Sequence, residues 1–401
     1  MTRPVRTDAQ RIEQLDALRG FALFGILVVN IGVFASPYYG LGLADPAYDG
    51  ALDRAVRWLV AAGFELKFYL LFSFLFGYSF TLQMDSAQRA GQAFVPRMLR
   101  RLAGLWLIGL AHALLLFHGD ILTTYAVLGL ILLALRRATP ALALRIAVAL
   151  LLLTAAGWAA LAALAAWDGT AADPAAAALA AQANLAGFTG DAAAVIAQRS
   201  RELASTGVLL ALLQAPCALA LFLCGLVAGR RRLLADPESH RPLLHRLRWL
   251  GLCCGLPAAA AYACVAVWRP GGALELLALA GCVLTAPWLS AGYLAWAMTA
   301  FSTRAGARVA AWLAPAGRMA LSNYLLQSLV CAWAFSGYGL GLMGRVSPLQ
   351  ASIFALLLFG AQSGLSRWWL RRRAYGPLEW LLRAITLGAW PRRRVATDAT
   401  R

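Results

Sequence analysis

The chain has 401 residues, 61% of them hydrophobic and 13% charged, with a mean hydropathy of +0.67 and a formal net charge of +18. A soluble domain carries about a quarter charged residues, and several stretches here run to about 20 apolar residues, the length that crosses a bilayer as a helix. A soluble globular fold is thereby excluded, and an all-α, polytopic membrane bundle is implied. Nor does the charge imply nucleic acid: Lys67 is the only lysine, the arginines cluster in short segments between apolar runs, and aromatic residues are not interleaved with them.

The chain opens on RIEQLDALRGFALFGILVVNIG, residues 11–32. It lacks a small-residue cleavage site and reads as a retained span. At about 100° per residue, Asp16, Arg19 and Asn30 share one narrow stripe of this helix, and Arg19 and Asn30 stand about 16 Å apart along its axis. Such groups face other helices or water. Asp16 and Arg19 fit either an anchoring ion pair or a binding site.

Hydropathy predicts about ten spans, near 15–36, 58–83, 99–117, 121–135, 143–167, 206–229, 248–268, 273–301, 308–336 and 349–370. The fourth is short for a crossing. Arginines concentrate in alternate loops, including Arg97, Arg100 and Arg101, then Arg136 and Arg137, then Arg230 to Arg232, then Arg304 and Arg308. The positive-inside rule puts those loops and both termini in the cytoplasm of the cell whose membrane holds the chain. Residues 1–167 form one five-span half and 206–370 the other. Between them, 168–205 is an Ala-rich outer loop with short surface helices. In the cytoplasmic segment 371–401, LEWLLRAI reads as an amphipathic surface helix with a Glu379–Arg383 i,i+4 pair, followed by a basic tail. The seven cysteines lie in apolar segments with no metal-ligand spacing, so no metal is expected.

The polar residues within spans sort into two levels. Asn30, Glu65, Lys67, His112, His118 and Asp120 lie toward the outer face. Asp16, Arg19, Arg100, Arg101 and Arg318 lie toward the inner face, with Asn323 and Gln327 deeper. His112 is the candidate general base, and Asp120 either orients it or holds a substrate hydroxyl. A bond from His112 across helices is the competing reading. Glu65 and Lys67 are two apart, do not face each other on a helix, and need partners elsewhere. Asn323 and Gln327 share a face that bonds another helix or a ligand.

The blocks LDALRGFALFGILVVNI, KFYLLFSFLFGYSF, GLAHALLLFHGDILTTYAVLG, GRMALSNYLLQS and GPLEWLLRAIT together resemble the YeiB-like family of bacterial inner-membrane proteins, a domain-of-unknown-function family. The first block is also distantly similar to transmembrane acyltransferases of the heparan-α-glucosaminide acetyltransferase type. That resemblance implies that Asn30 matches their active-site asparagine. Their catalytic histidine follows soon after that asparagine. The corresponding segment here, IGVFASPYYGLGLADPAYDG, has none, so either His112 replaces it or the activity is different or lost.

The leading expectation is therefore an acyltransferase with catalytic His112, Asn30 and Asp120. Asp16, Arg19, Glu65, Lys67, Arg100, Arg101, Arg318, Asn323 and Gln327 would bind substrate. An acyl-CoA would be the co-substrate, with no bound cofactor, and the acceptor an envelope or extracytoplasmic sugar or lipid. Arginine forks suit the donor's phosphates. A small-molecule transporter or channel, and a membrane scaffold without chemistry, are the alternatives.

Overall fold

The structure, a computed structural model, describes residues 8–41, 43–168 and 174–391; Arg3, Arg6 and most of the basic tail lie outside them. Its helices are α1 (Asp8–Ala35), α2 (Ala51–Gly63), α3 (Lys67–Arg89), α4 (Phe94–Leu115), α5 (Leu122–Ala134), α6 (Pro140–Trp167), α7 (Pro174–Thr189) and α8 (Ala192–Leu209). There follow α9 (Ala215–Arg230), α10 (Arg241–Leu250), α11 (Leu256–Trp268), α12 (Ala273–Ala300), α13 (Arg304–Arg318), α14 (Ala320–Phe335), α15 (Pro348–Leu370) and α16 (Pro377–Leu387). Among the described residues there is no strand, and 8 helices or continuous helix pairs are long and apolar enough to cross a membrane. The chain is a polytopic helical membrane protein. The short fourth span is α5, whose 13 residues rise about 20 Å against a hydrocarbon core of about 30 Å.

Lipid supplies no hydrophobic drive between helices, so close packing of small residues must. α1 crosses α13 where a Cβ on Gly317 would strike the Asp16 carbonyl and one on Gly20 the Leu313 carbonyl. α3 crosses α9 in the same way: Gly77 lies on the Phe222 carbonyl and Gly225 on the Phe74 carbonyl. With α6 on α12, these crossings join elements from both predicted five-span halves, so the halves interleave.

Two predicted spans are broken, and both breaks position polar groups. The second divides at residues 64–66, where Leu66 has a positive φ of 65°, a conformation that costs a bulky residue about 1–2 kcal/mol. Lys67 opens α3, fully buried, and its Nζ donates to the Ala61 carbonyl (2.8 Å) near the end of α2. A cation at that helix terminus satisfies an orphan carbonyl and opposes the helix dipole. The ninth divides at Met319, between α13 and α14. There Glu379 of α16 accepts from the Ser322 N–H (3.0 Å) and hydroxyl (2.5 Å), stabilising the new N-terminus. The predicted Glu379–Arg383 pair is therefore not made; Arg383 lies over the Tyr375 ring instead (5.0 Å). α16 packs against α4 and α14 rather than only lying on a membrane surface.

The 168–205 region folds back on itself as α7 and α8. Arg199 of α8, 2% exposed, donates to the Leu115 carbonyl, to Ser336 Oγ (3.2 Å) and to Tyr338 Oη (3.2 Å). One guanidinium thus pins this hairpin to the ends of α4 and α14.

Candidate functional site

At the bundle's centre three side chains from separate elements form a chain of hydrogen bonds. His112 of α4 meets Asp120 Oδ1 through Nδ1 (2.7 Å) and Ser328 Oγ of α14 through Nε2 (2.8 Å). Asp120 Oδ2 accepts from both the N–H and the hydroxyl of Thr123 at 2.8 Å. His112 and Asp120 are each 1% exposed. The turn after α4 folds Asp120 back over the helix that carries His112, which is why eight residues of separation become direct contact. With Asp120 ionised, Nδ1 carries the imidazole proton and Nε2 is free to accept from Ser328, a tautomer inferred from the network. Ser328 is absent from the sequence-predicted site; a lone serine in an apolar helix carries no signal of its own.

Two cavities approach this centre. The first, the basic cavity of about 420 Å³, is lined by Arg19, Arg97, Arg101, Arg318 and Arg383, with Glu379 as the acid and Ser79 and Gln83 beside them. Arg19 is held by Asp16 (2.7 Å) and donates to Ser79 Oγ (2.6 Å). Arg101 has no ion-pair partner among the described residues. Glu379 is committed to Ser322, so the cavity presents a strong excess of positive charge.

The distal cavity, about 350 Å³, is lined by Asn30, Glu65, Tyr39, Tyr262, Gln214, Glu275 and Arg57, the last paired with Asp49, among mostly apolar residues. Glu65 accepts from Tyr39 Oη (2.5 Å) and Tyr262 Oη (3.4 Å), partners that the sequence pattern did not suggest. Gln214 ends a π-helical turn, Leu210–Gln214, and its buried Oε1 has no hydrogen-bond partner among the described residues; such turns often mark functional positions. Both cavities are within the usual size of ligand pockets. They share Ile26, Ile121 and Tyr324 as walls, so they abut at a waist beside His112.

The other predicted binding residues go elsewhere. Asn323 Nδ2 donates to the Ala316 carbonyl (3.1 Å) and Ser366 Oγ (2.8 Å), and Gln327 Nε2 to Gln362 Oε1 (3.0 Å). These amides tie α14 to α13 and α15, the helix-bonding reading of that face. Arg100 is exposed and lines neither cavity, and Lys67 serves the α2–α3 break.

A helical membrane protein with a basic cavity, a polar cavity and a buried Asp–His–Ser chain behind their shared wall, Tyr324, is the class that fold and site define. A family model described as "Protein of unknown function (DUF418)" matches residues 228–389. The uncharacterized protein YxaH of Bacillus subtilis (strain 168) is 35% identical over 399 residues, 95% of each chain. The uncharacterized protein YeiB of Escherichia coli (strain K12) is 30% identical over 405 residues, 95% of this chain and 97% of that one. The chain belongs to this YeiB-like DUF418 family. No solved structure matches it.

Proposed function

We propose that the protein is a transmembrane acyltransferase of the bacterial inner membrane. It takes an acyl group from an acyl-CoA in the basic cavity and passes it to a hydroxyl or amine of a sugar or lipid in the distal cavity. The observation that carries this reading is the meeting of a strongly basic cavity and a mixed polar one at Tyr324, beside the Asp120–His112–Ser328 chain. The arginines suit the donor's phosphates. Gln214 Oε1 and the Glu65 and Glu275 carboxylates suit the hydroxyls or amine of an acceptor. Asp–His–Ser geometry recurs on unrelated folds wherever acyl groups are moved. The arginine-rich loops put the donor cavity on the cytoplasmic side.

In the transfer, the acceptor oxygen or nitrogen bonds to the thioester carbonyl carbon and its proton passes to His112. The C–S bond then breaks, and the departing CoA thiolate takes that proton. His112 lies behind Tyr324 with Nδ1 held by Asp120 and Nε2 by Ser328, so the proton reaches Nε2 through the Ser328 hydroxyl or through a water that displaces it. Cavities at opposite ends of a bundle also suit a transporter, and binding separates the two readings. Acetyl-CoA should bind saturably to the detergent-purified protein, and Arg101→Gln/Arg318→Gln should weaken it at least about tenfold by removing two charge-assisted contacts. Failure of folded wild-type protein to bind acetyl- or longer acyl-CoA would reject the acyltransferase reading and leave transport.

A further inference from the structure

The hydroxyl of Tyr324 stands apart from those of other buried or half-buried tyrosines. Tyr39 and Tyr262 donate to Glu65, Tyr125 bonds Ser73 Oγ (2.6 Å), and Tyr293 donates to the Gly63 carbonyl (2.9 Å). Tyr324 is 6% exposed; the Ile121 N–H lies against its Oη, and its O–H has no hydrogen-bond acceptor among the described residues. Folded proteins rarely leave such a group unsatisfied, because the lost hydration is not recovered. Its location is specific as well. Of the three residues that wall both cavities, Ile26 and Ile121 are apolar and Tyr324 alone bears a side-chain donor. Its ring lies 4.9 Å from that of His112, centroid to centroid.

The helix beneath it is held in register from several sides. Ser322 is bound by Glu379, Asn323 by Ser366, Gln327 by Gln362 and Ser328 by His112. The phenol is therefore a pre-positioned donor at the point where a group would pass from one cavity to the other. Asn30, the amide matched by resemblance to an acyltransferase site, lines only the distal cavity.

We propose that Tyr324 is a further catalytic residue, whose phenolic O–H binds the carbonyl oxygen of the acyl group at the waist. The inference rests on the acyltransferase reading. As the acceptor adds to the carbonyl carbon, that oxygen gains negative charge and the hydrogen bond strengthens. Tyr324 keeps its proton throughout. A fixed donor aimed at developing charge is a large source of acyl-transfer rate.

The test compares two non-reactive ligands, acetonyl-CoA and S-propyl-CoA, which differ by a ketone in place of a methylene. Wild-type protein should bind acetonyl-CoA about tenfold more tightly, one hydrogen bond's worth. Tyr324→Phe should abolish that preference and leave S-propyl-CoA affinity unchanged. In turnover it should lower kcat by about 10²–10³ with little change in KM for acetyl-CoA. A carbonyl preference that survives in Tyr324→Phe overturns the assignment while leaving the acyltransferase reading intact. Wild-type protein that binds neither ligand overturns both. One measurement needs no variant: the infrared carbonyl stretch of ¹³C-labelled acetonyl-CoA on wild-type protein. A shift to lower frequency on binding is expected, and a carbonyl reporting an apolar site counts against Tyr324.

Discussion

Asp120 does more than lie near His112, because each of its oxygens has a separate task. Oδ2 holds Thr123 at the start of α5, and Oδ1 receives the imidazole N–H. Asp120→Asn tests this division. The amide oxygen would keep the two bonds from Thr123, which turns the amide N–H₂ toward His112 Nδ1. Nδ1 must then accept, the ring proton moves to Nε2, and His112 loses its capacity to take a proton there. Shape and most bonds are retained, so the thermal midpoint should change by only a few degrees. Acyl transfer should fall at least about 100-fold, in line with the effect of reversing a catalytic histidine's tautomer elsewhere. Transfer within a few-fold of wild type would show that His112 needs no such orientation. The Asp120–His112 pairing was legible because both residues lie in one short stretch, at the end of a span and in the turn after it. Ser328 and Tyr324 were not, since their roles depend on α14 meeting α4 more than 200 positions away. Lys67 was legible as a costly buried charge, but its partner is a backbone carbonyl that is exposed only because the second span breaks.

At the scale of elements, breaks and caps matter more than the apolar runs. The predicted ninth span was continuous because hydropathy does not register a residue such as Met319, and the carboxylate that stabilises the break lies in α16, 57 positions after Ser322. The α4–α5 turn gives a comparable case that pH can probe. His118 sits there, buried, with its ring stacked 5.7 Å from Phe188 of α7 and beneath the hairpin that Arg199 pins. Burial, and then the neighbouring Arg199 charge, push its pKa down to about 4. In the unfolded chain the imidazole titrates near 6.5. Above that pH it is neutral in both states and its contribution is complete. As pH falls from about 6.5 toward 4, the unfolded chain takes up a proton that the folded one refuses, and stability declines by up to about 3 kcal/mol. His118→Phe keeps the stack and removes the titration. The difference in thermal midpoint between variant and wild type should therefore widen in the variant's favour from pH 7 to pH 4.5. A constant difference across that range would mean that His118 is not held neutral.

For the whole molecule, the arginine pattern makes a geometric claim: the basic cavity and α16 face the cytoplasm, and the α7–α8 hairpin faces outward. The apolar runs were enough to read a multi-span helical bundle from composition, because they follow from the bilayer as solvent, and the alternation of arginines between them is what predicts its orientation. How the helices are ordered in the bundle was not legible, since it depends on glycine-to-carbonyl contacts such as Gly317 on Asp16 that join distant segments. Single cysteines at Ala193 of α8 and at Arg372 after α15, both exposed positions, test the orientation directly. In intact spheroplasts a membrane-impermeant maleimide should label the Ala193→Cys protein at once and the Arg372→Cys protein only after permeabilisation. The native cysteines lie in apolar segments and should react little, which the cysteine-unaltered parent controls. If both positions label from one side, the number of crossings between them is even rather than odd. If the order is inverted, the arginine-lined cavity opens away from the cytoplasm. Acyl-CoA is made and kept in the cytoplasm, so an inverted result would separate the cavity from its proposed donor and remove the acyltransferase reading at its base, whatever the chemistry at the waist.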